Sequence, residues 1–346
     1  MAPSPSKPDL LALQDLTNTS LLLLTQYLTT LTTPSAPTSS SIPDPPNPLQ
    51  VLRDSALLLK SHTTKLSLLL LNAPFTPSAV TKVLREITGT CLPAMMSAVE
   101  LADPDVWGRL LRGEIVARVA RVIWEMKVCL EEVKGVALDS EGAEKREGNK
   151  RDTLSSTGVV WEACDAVVEL EGLDVGGVAL KRAKEWQALV KDAIEELREW
   201  GENEEEDDED EGDDGEEEDI FGAGSLPRDR VELRELLAEG LGKVRKVEIL
   251  YTALIKRRVK TFTKEKARIK PHVLVMDDLM DHLKQLPELV DELASGFYDL
   301  DEEAVKGQIK AVVDEAKATI TLVKKDWQGK EDEFTTWSTK WLEVVK

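Results

Sequence analysis

The chain has 346 residues, 42% of them hydrophobic and 32% charged, which is enough length for one large core or two ordinary ones. Its formal charge of −21 is concentrated: fifteen Asp and Glu lie between Gly201 and Asp219 with no Lys or Arg among them, and without these the charge is −6. Three cysteines with no C-x-x-C pair and three histidines with no ligand spacing exclude a disulfide framework and a structural zinc site, so the thiols are expected buried and free in a reducing compartment.

The longest aliphatic runs, "LLLL" at 21–24 and "LSLLLL" at 66–71, fall far short of the roughly 18–20 apolar residues that a membrane span requires. The opening "MAPSPSKPDLLALQDL" has no basic stretch followed by an apolar one, and the expectation is an intracellular protein.

In chain order, Leu10, Leu13, Leu16 or Thr17, Leu21, Leu24 and Leu28 fall three or four residues apart and predict a first helix. "PSAPTSSSIPDPPNP" ends it, because proline lacks the N–H donor and Ser/Thr compete for backbone bonds. A second helix is predicted from Pro48 to Leu71, and a third from Pro77 to about Leu101, with a kink at Pro93. "DPDVW" at 103–107 opens a fourth, whose stripe carries Ile115, Val119, Val122, Met126 and Cys129.

Residues 138–154 are charged, glycine-containing and aperiodic, and read as a linker. The next helix aligns Trp161, Cys164 and Val168, breaks at Gly176–Gly177, and resumes with Trp186, Val190, Ala193, Leu197 and Trp200. An acidic loop over 201–226 follows. Beyond it, one helix carries Leu237, Leu241, Val244, Val247, Tyr251 and Leu254, and a second runs from Met276 to Phe297 with Pro287 as a kink. A last begins at Asp301 and runs through Trp327 to a tail that places Phe334, Trp337, Trp341 and Val345 on one side.

Strand signals are nearly absent, so the fold class is all-α. Long helices with such seams pack as antiparallel bundles. The reading gives an N-terminal bundle over 1–137, the 138–154 linker, and a C-terminal bundle over 155–346 that contains the acidic loop, with the alternative that a late helix returns to complete the first bundle.

No nucleotide-binding, nucleophile-elbow or metal pattern is present, so neither an enzyme nor a cofactor is expected. "MDDLMDH" (276–282) places Asp277, Asp278 and Asp281 near His282, but Met276, Leu279 and Leu283 occupy the buried seam, which assigns the acids to the solvated face. Three sets of residues are candidates for partner binding. The acidic set is Glu204, Glu205, Glu206, Asp207, Asp208, Glu209, Asp210 and Glu211. A run this poor in apolar residues cannot offset the entropy of ordering, and it acts electrostatically, recruiting basic partners such as histones or repelling nucleic acid. The basic set is Lys256, Arg257, Arg258 and Lys260, within a block (256–270) of eight Lys/Arg and one Glu. It reads as a helix C-terminus favoured by the macrodipole, as a nuclear-localisation-type block, or as an internal target that the acidic run masks. No aromatic stacking platform accompanies it, so direct nucleic-acid binding is not expected. The third set is Trp337 and Trp341, near the chain end, as aromatic anchors; the other tryptophans read as core.

"GVVWEACDAVVEL" (158–170) and "ALVKDAIEELREW" (188–200), followed at once by the acidic run, together with "LVDELASGFYD" (289–299), resemble the Grap2 and cyclin-D-interacting family, also called cyclin-D1-binding protein 1-like. The resemblance implies two bundles akin to those of talin and vinculin rods. It further implies a non-enzymatic regulator of cell cycle or transcription that binds D-type cyclins and adaptor or transcription proteins in cytoplasm and nucleus. The alternative is an acidic chaperone that holds histones or other basic proteins through 202–219.

Overall fold

The computed structural model describes residues 6–33, 45–72, 74–138, 146–203, 226–227 and 229–346, with side chains described from 155 onward in the fourth segment. These residues form helices and no strand, which makes the protein all-α. They divide into two compact units, Met1–Val175 and Gly176–Lys346.

The first unit contains α1 (Lys7–Thr32), α2 (Pro48–Leu71), α3 (Pro77–Glu86), α4 (Leu92–Leu101), the short α5 (Pro104–Trp107), α6 (Arg109–Leu138) and the first half of α7 (Arg146–Glu202). Asn47 caps α2 by accepting from the Leu49 N–H, and Pro48 supplies a preset first-turn φ. Between α3 and α4 the helix widens into a π turn, Ile87–Cys91, immediately before Pro93. The local disruption expected at that proline is therefore an inserted residue in the turn.

α1 lies antiparallel to α6: the Gln14 amide donates to the Ala137 carbonyl at the far end of α6. Leu13, Leu24, Leu52, Leu59, Leu66, Leu84, Ile115, Val122 and Met126 are all fully buried, and each such side chain is worth about 1.5–3 kcal/mol of transfer free energy.

α7 is two helices merged across a break at Asp174 (φ 52°, ψ −169°), two residues before the expected Gly176–Gly177 interruption. The division between units falls there, not at 138–154. Residues 155–175 pack with the first unit through Val160, Cys164, Val167 and Leu170, whereas the sequence reading gave them to the second. Part of the expected linker lies outside the described residues, and helix already begins at Arg146. Aperiodic charge there hid the start of a helix.

The second unit contains the rest of α7, α8 (Val231–Leu254), α9 (Lys270–Tyr298), α10 (Glu302–Leu322) and α11 (Glu333–Val344). Neighbours alternate in direction. Gln187 of α7 reaches Thr252 near the end of α8, and Gly240 of α8 lies under the ring of Phe297 at the end of α9. His282 of α9 meets Glu315 of α10, while the Trp341 indole of α11 donates to the Lys246 carbonyl of α8. None of α8 to α11 returns to the first unit. α9 runs through Pro287 without ending, and the expected final helix stops at Leu322, leaving Trp327 buried in the loop before α11.

Candidate functional site

The candidate residues of the second unit prove unlike one another. Arg258 is 1% exposed and belongs to the core. At the end of α8 the backbone widens into a π turn, Ile255–Val259, closed by the Lys260 N–H on the Ile255 carbonyl. The turn leaves the Arg258 guanidinium aimed at the loop between α10 and α11. There its Nε donates to the Val323 carbonyl (2.7 Å), its Nη1 to the Arg257 carbonyl and to Asp332 Oδ2 (2.8 Å), and its Nη2 to the Lys324 carbonyl and to Asp332 Oδ1 (3.0 Å). All five donors have acceptors, and the Phe334 ring covers the plane at 4.4 Å.

Asp332 also caps α11, accepting from the Thr335 N–H in a capping box. The hydrogen-bonded Arg258 guanidinium holds the Asp332 carboxyl down at about 2. The Trp327 indole donates to the Arg258 carbonyl at 3.0 Å and packs edge-on against Phe262. Arg258 is thus a structural clamp and not a partner-binding residue.

Trp341 is likewise interior, 7% exposed with its N–H satisfied by Lys246, while Trp337 is half-buried beside Phe334. Arg257 pairs with Glu333, and Lys256 and Lys260 are exposed. Glu204, Glu205, Glu206, Asp207, Asp208, Glu209, Asp210 and Glu211 lie outside the described residues.

In "MDDLMDH", Asp278 and Asp281 are exposed as expected, but Asp277 is 1% exposed, and His282 Nδ1 sits 2.5 Å from Glu315. No cluster of metal-ligating side chains occurs among the described residues. Cys91, Cys129 and Cys164 are buried free thiols, and burial pushes them up to about 11, 12 and 12. Thiols so far above neutrality are poor nucleophiles. Among the described residues no helix is long and apolar enough to cross a membrane.

The first unit carries a surface that the sequence reading missed. The first half of α7 lies between α2 and α6 and is held by ion pairs on both sides. Arg53 and Lys60 of α2 meet Glu171 and Asp165, and Arg118 and Arg121 of α6 meet Glu169 and Glu162. These pairs fix the three helices as one outward layer, because they lie at its solvated side.

Large apolar side chains stand among them. Leu57 and Leu68 continue the Arg53–Lys60 row of α2 at helical spacing, and are 50% and 53% exposed. Trp161 stands one turn before Asp165 on α7 and is 37% exposed. Trp124 (55%) and Val128 are one turn from Arg121 and from each other on α6. Lys127 Nζ lies 5.8 Å from the Trp124 ring centre, and neither indole N–H donates a hydrogen bond among the described residues. Gly158, beside Trp161 on the same outward stripe, has open space where a Cβ would stand.

Its ion pairs are satisfied and its large apolar groups are exposed. Burying both tryptophans beneath a partner would supply the aromatic anchors on which interfaces depend. The seam pattern held the signal for Trp124 but not for Trp161, which it aligned as core with the buried Cys164 and which is 37% exposed. Ile115, Val119, Val122, Met126 and Cys129 define the buried stripe of α6, and Trp124 is off it.

Residues 51–203, which include every side chain named in this layer, match the family model described as "Grap2 and cyclin-D-interacting, N-terminal". An uncharacterized protein of Schizosaccharomyces pombe is 25% identical over 298 residues, covering 86% of this chain and 84% of the relative.

Proposed function

Because residues 51–203 match the N-terminal model of the Grap2 and cyclin-D-interacting family, we propose that the chain is a non-enzymatic protein-interaction regulator of the cell cycle or transcription. It works in cytoplasm and nucleus and binds a D-type cyclin or an adaptor or transcription factor. The observation that carries the reading is the layer of α2, α6 and α7, where Trp124, Trp161, Leu57, Leu68 and Val128 lie exposed inside the family-matched region. The partner presents an amphipathic helix or apolar ridge to that layer, and its activity is regulated by occupancy.

The second reading, an acidic chaperone for histones or other basic proteins, is favoured by the fifteen acids of 201–219. One experiment separates the two. A recombinant D-type cyclin and a histone are each titrated against the full chain, a Trp124→Ala/Trp161→Ala chain and a chain lacking 204–219. Cyclin binding that weakens tenfold or more in the tryptophan variant, at about 1.4 kcal/mol per tenfold, and survives the deletion supports the interaction reading. Histone binding lost only with the deletion supports the chaperone, and absence of cyclin binding in every chain refutes the cyclin assignment.

A further inference from the structure

Charge in the second unit is sorted by end. At the end where α7 finishes and α8 begins stand Glu196, Glu202, Glu288, Asp291, Glu302 and Glu303; Glu302 pairs with Arg230, Glu303 with Lys306 and Glu288 with Lys284, whereas Glu196, Glu202 and Asp291 form no ion pair among the described residues. Burial, with Glu196 and Glu288 nearby, raises the Asp291 carboxyl above its ordinary range. The acidic segment of 202–219 leaves the described structure at this same end, after Asn203.

The opposite end is basic. The Arg258 clamp ties the 323–332 loop to the end of α8, and the edge-on packing of Trp327 against Phe262 holds it there. Two segments distant in sequence thereby share one surface, which carries Lys256, Lys260, Arg268, Lys324, Lys325 and Lys330. All six are exposed and none forms an ion pair among the described residues. Among the described residues the rings of Phe262, Trp327 and Phe334 at this end are buried and Trp337 is half-buried beside Phe334, so no fully exposed ring accompanies the lysines.

Distance decides where the acids can go. The 24 residues of α8 separate the two ends by about 36 Å at about 1.5 Å per residue. The acidic segment is tethered on both sides at the wrong end, by Asn203 after α7 and by Leu226, whose carbonyl accepts from Arg234 of α8. To reach the basic end within its own chain it must travel out and back. At about 3.4 Å per residue, that takes about 21 residues, nearly all of those between Asn203 and Leu226. A second copy has no such constraint.

We propose that the basic end of the second unit, built by Lys256, Lys260, Arg268, Lys324, Lys325 and Lys330, is the docking site for the acidic segment 202–219 of a second copy of this chain. The contact is heterologous, acidic end to basic end, so each copy keeps one free end and association is open. It is independent of the α2–α6–α7 surface. A long polyanion such as duplex nucleic acid fits less well, since it extends over the acidic end of the same unit, whereas a peptide segment occupies the basic end alone.

The test is sedimentation velocity on the full chain across a range of protein concentration, at about 50 mM and about 500 mM salt, with Debye lengths of about 14 and 4 Å. The expected result is mass that grows with concentration at low salt, and an association weakened about tenfold or more at high salt. A chain lacking 204–219 and a Lys256→Glu/Lys260→Glu/Lys324→Glu/Lys325→Glu chain should each remain monomeric. Mixed together they should form a one-to-one complex and nothing larger, because only one complementary pair of ends is present. A monomeric wild-type chain at low salt overturns the proposal, as does association that persists without 204–219. Failure of the two defective chains to combine while the reversed-charge chain keeps its helical circular dichroism also overturns it. Duplex DNA retarded by the wild-type chain more strongly than by the reversed-charge chain, with no self-association, would replace the peptide with nucleic acid.

Discussion

Trp341 and Trp124 both stand on helices that bury one face, yet one is structure and the other is surface. In the second unit the indole N–H of Trp341 finds the Lys246 carbonyl and that of Trp327 finds the Arg258 carbonyl, so both rings can be buried without an orphaned donor. In the first unit Trp124 and Trp161 have no such acceptor among the described residues, and their rings stay at the solvated side of a layer tied by ion pairs. A tryptophan with its N–H consumed internally stabilises its own unit. One whose ring and N–H are both left to solvent has its interaction capacity unspent.

The largest expected break in this comparison is at the clamp. Arg258→Ala should cost about 3–5 kcal/mol, because it strands the Asp332 carboxylate and the Val323 and Lys324 carbonyls. The check is urea denaturation of the full chain, with Arg258→Lys recovering only part of the loss since it cannot reproduce the two-pronged contact. Trp341→Ala should cost about 3 kcal/mol through the cavity and the unpaired Lys246 carbonyl, whereas Trp124→Ala should stay within about 0.5 kcal/mol. Equal losses at the two positions would erase the distinction.

Acid provides a finer probe. The Asp332 carboxyl is held below its ordinary 3.8, at about 2, so its stabilisation is complete above about pH 4 and is lost as pH falls through 3.8 towards 2. Stability measured from pH 5 down to 2 should fall less steeply in Asp332→Asn, which lacks this linkage although it is weaker at neutral pH. The smallest effect is chemical. Cys91, Cys129 and Cys164, raised by burial to about 11 or 12, should react slowly with a thiol reagent at pH 8 in the folded chain and rapidly in denaturant.

The helices were legible because leucine and valine recur at three and four residues in nearly every segment, and Leu13, Ile115, Val122 and Leu237 are buried where that spacing puts them. Arg258 was misread because charge overrode period. It continues the series Val244, Val247, Tyr251, Leu254 by four residues, and the series is buried throughout. Trp341 obeys the same spacing from Phe334 and Trp337. The unit boundary was displaced because glycines at 176–177 and charge at 138–152 both look like breaks, and only the packing of Cys164, Val167 and Leu170 shows which helix belongs to the first core. The α2–α6–α7 layer was invisible as a layer, since Leu57, Trp124 and Trp161 are far apart in sequence and only the folded packing, with its ion pairs, brings their helices side by side. The acidic run lies outside the described residues, and its composition remains the ground for the charge arguments above.

The central claim is that the outward layer of the first unit is the binding face. It is tested most directly by hydrogen exchange of the full chain with and without a saturating recombinant D-type cyclin. The account expects added protection in peptides covering 117–131 and 158–172, with the 244–262 and 323–341 segments unchanged. Protection confined to the second unit, or none in α6 and α7, would contradict it.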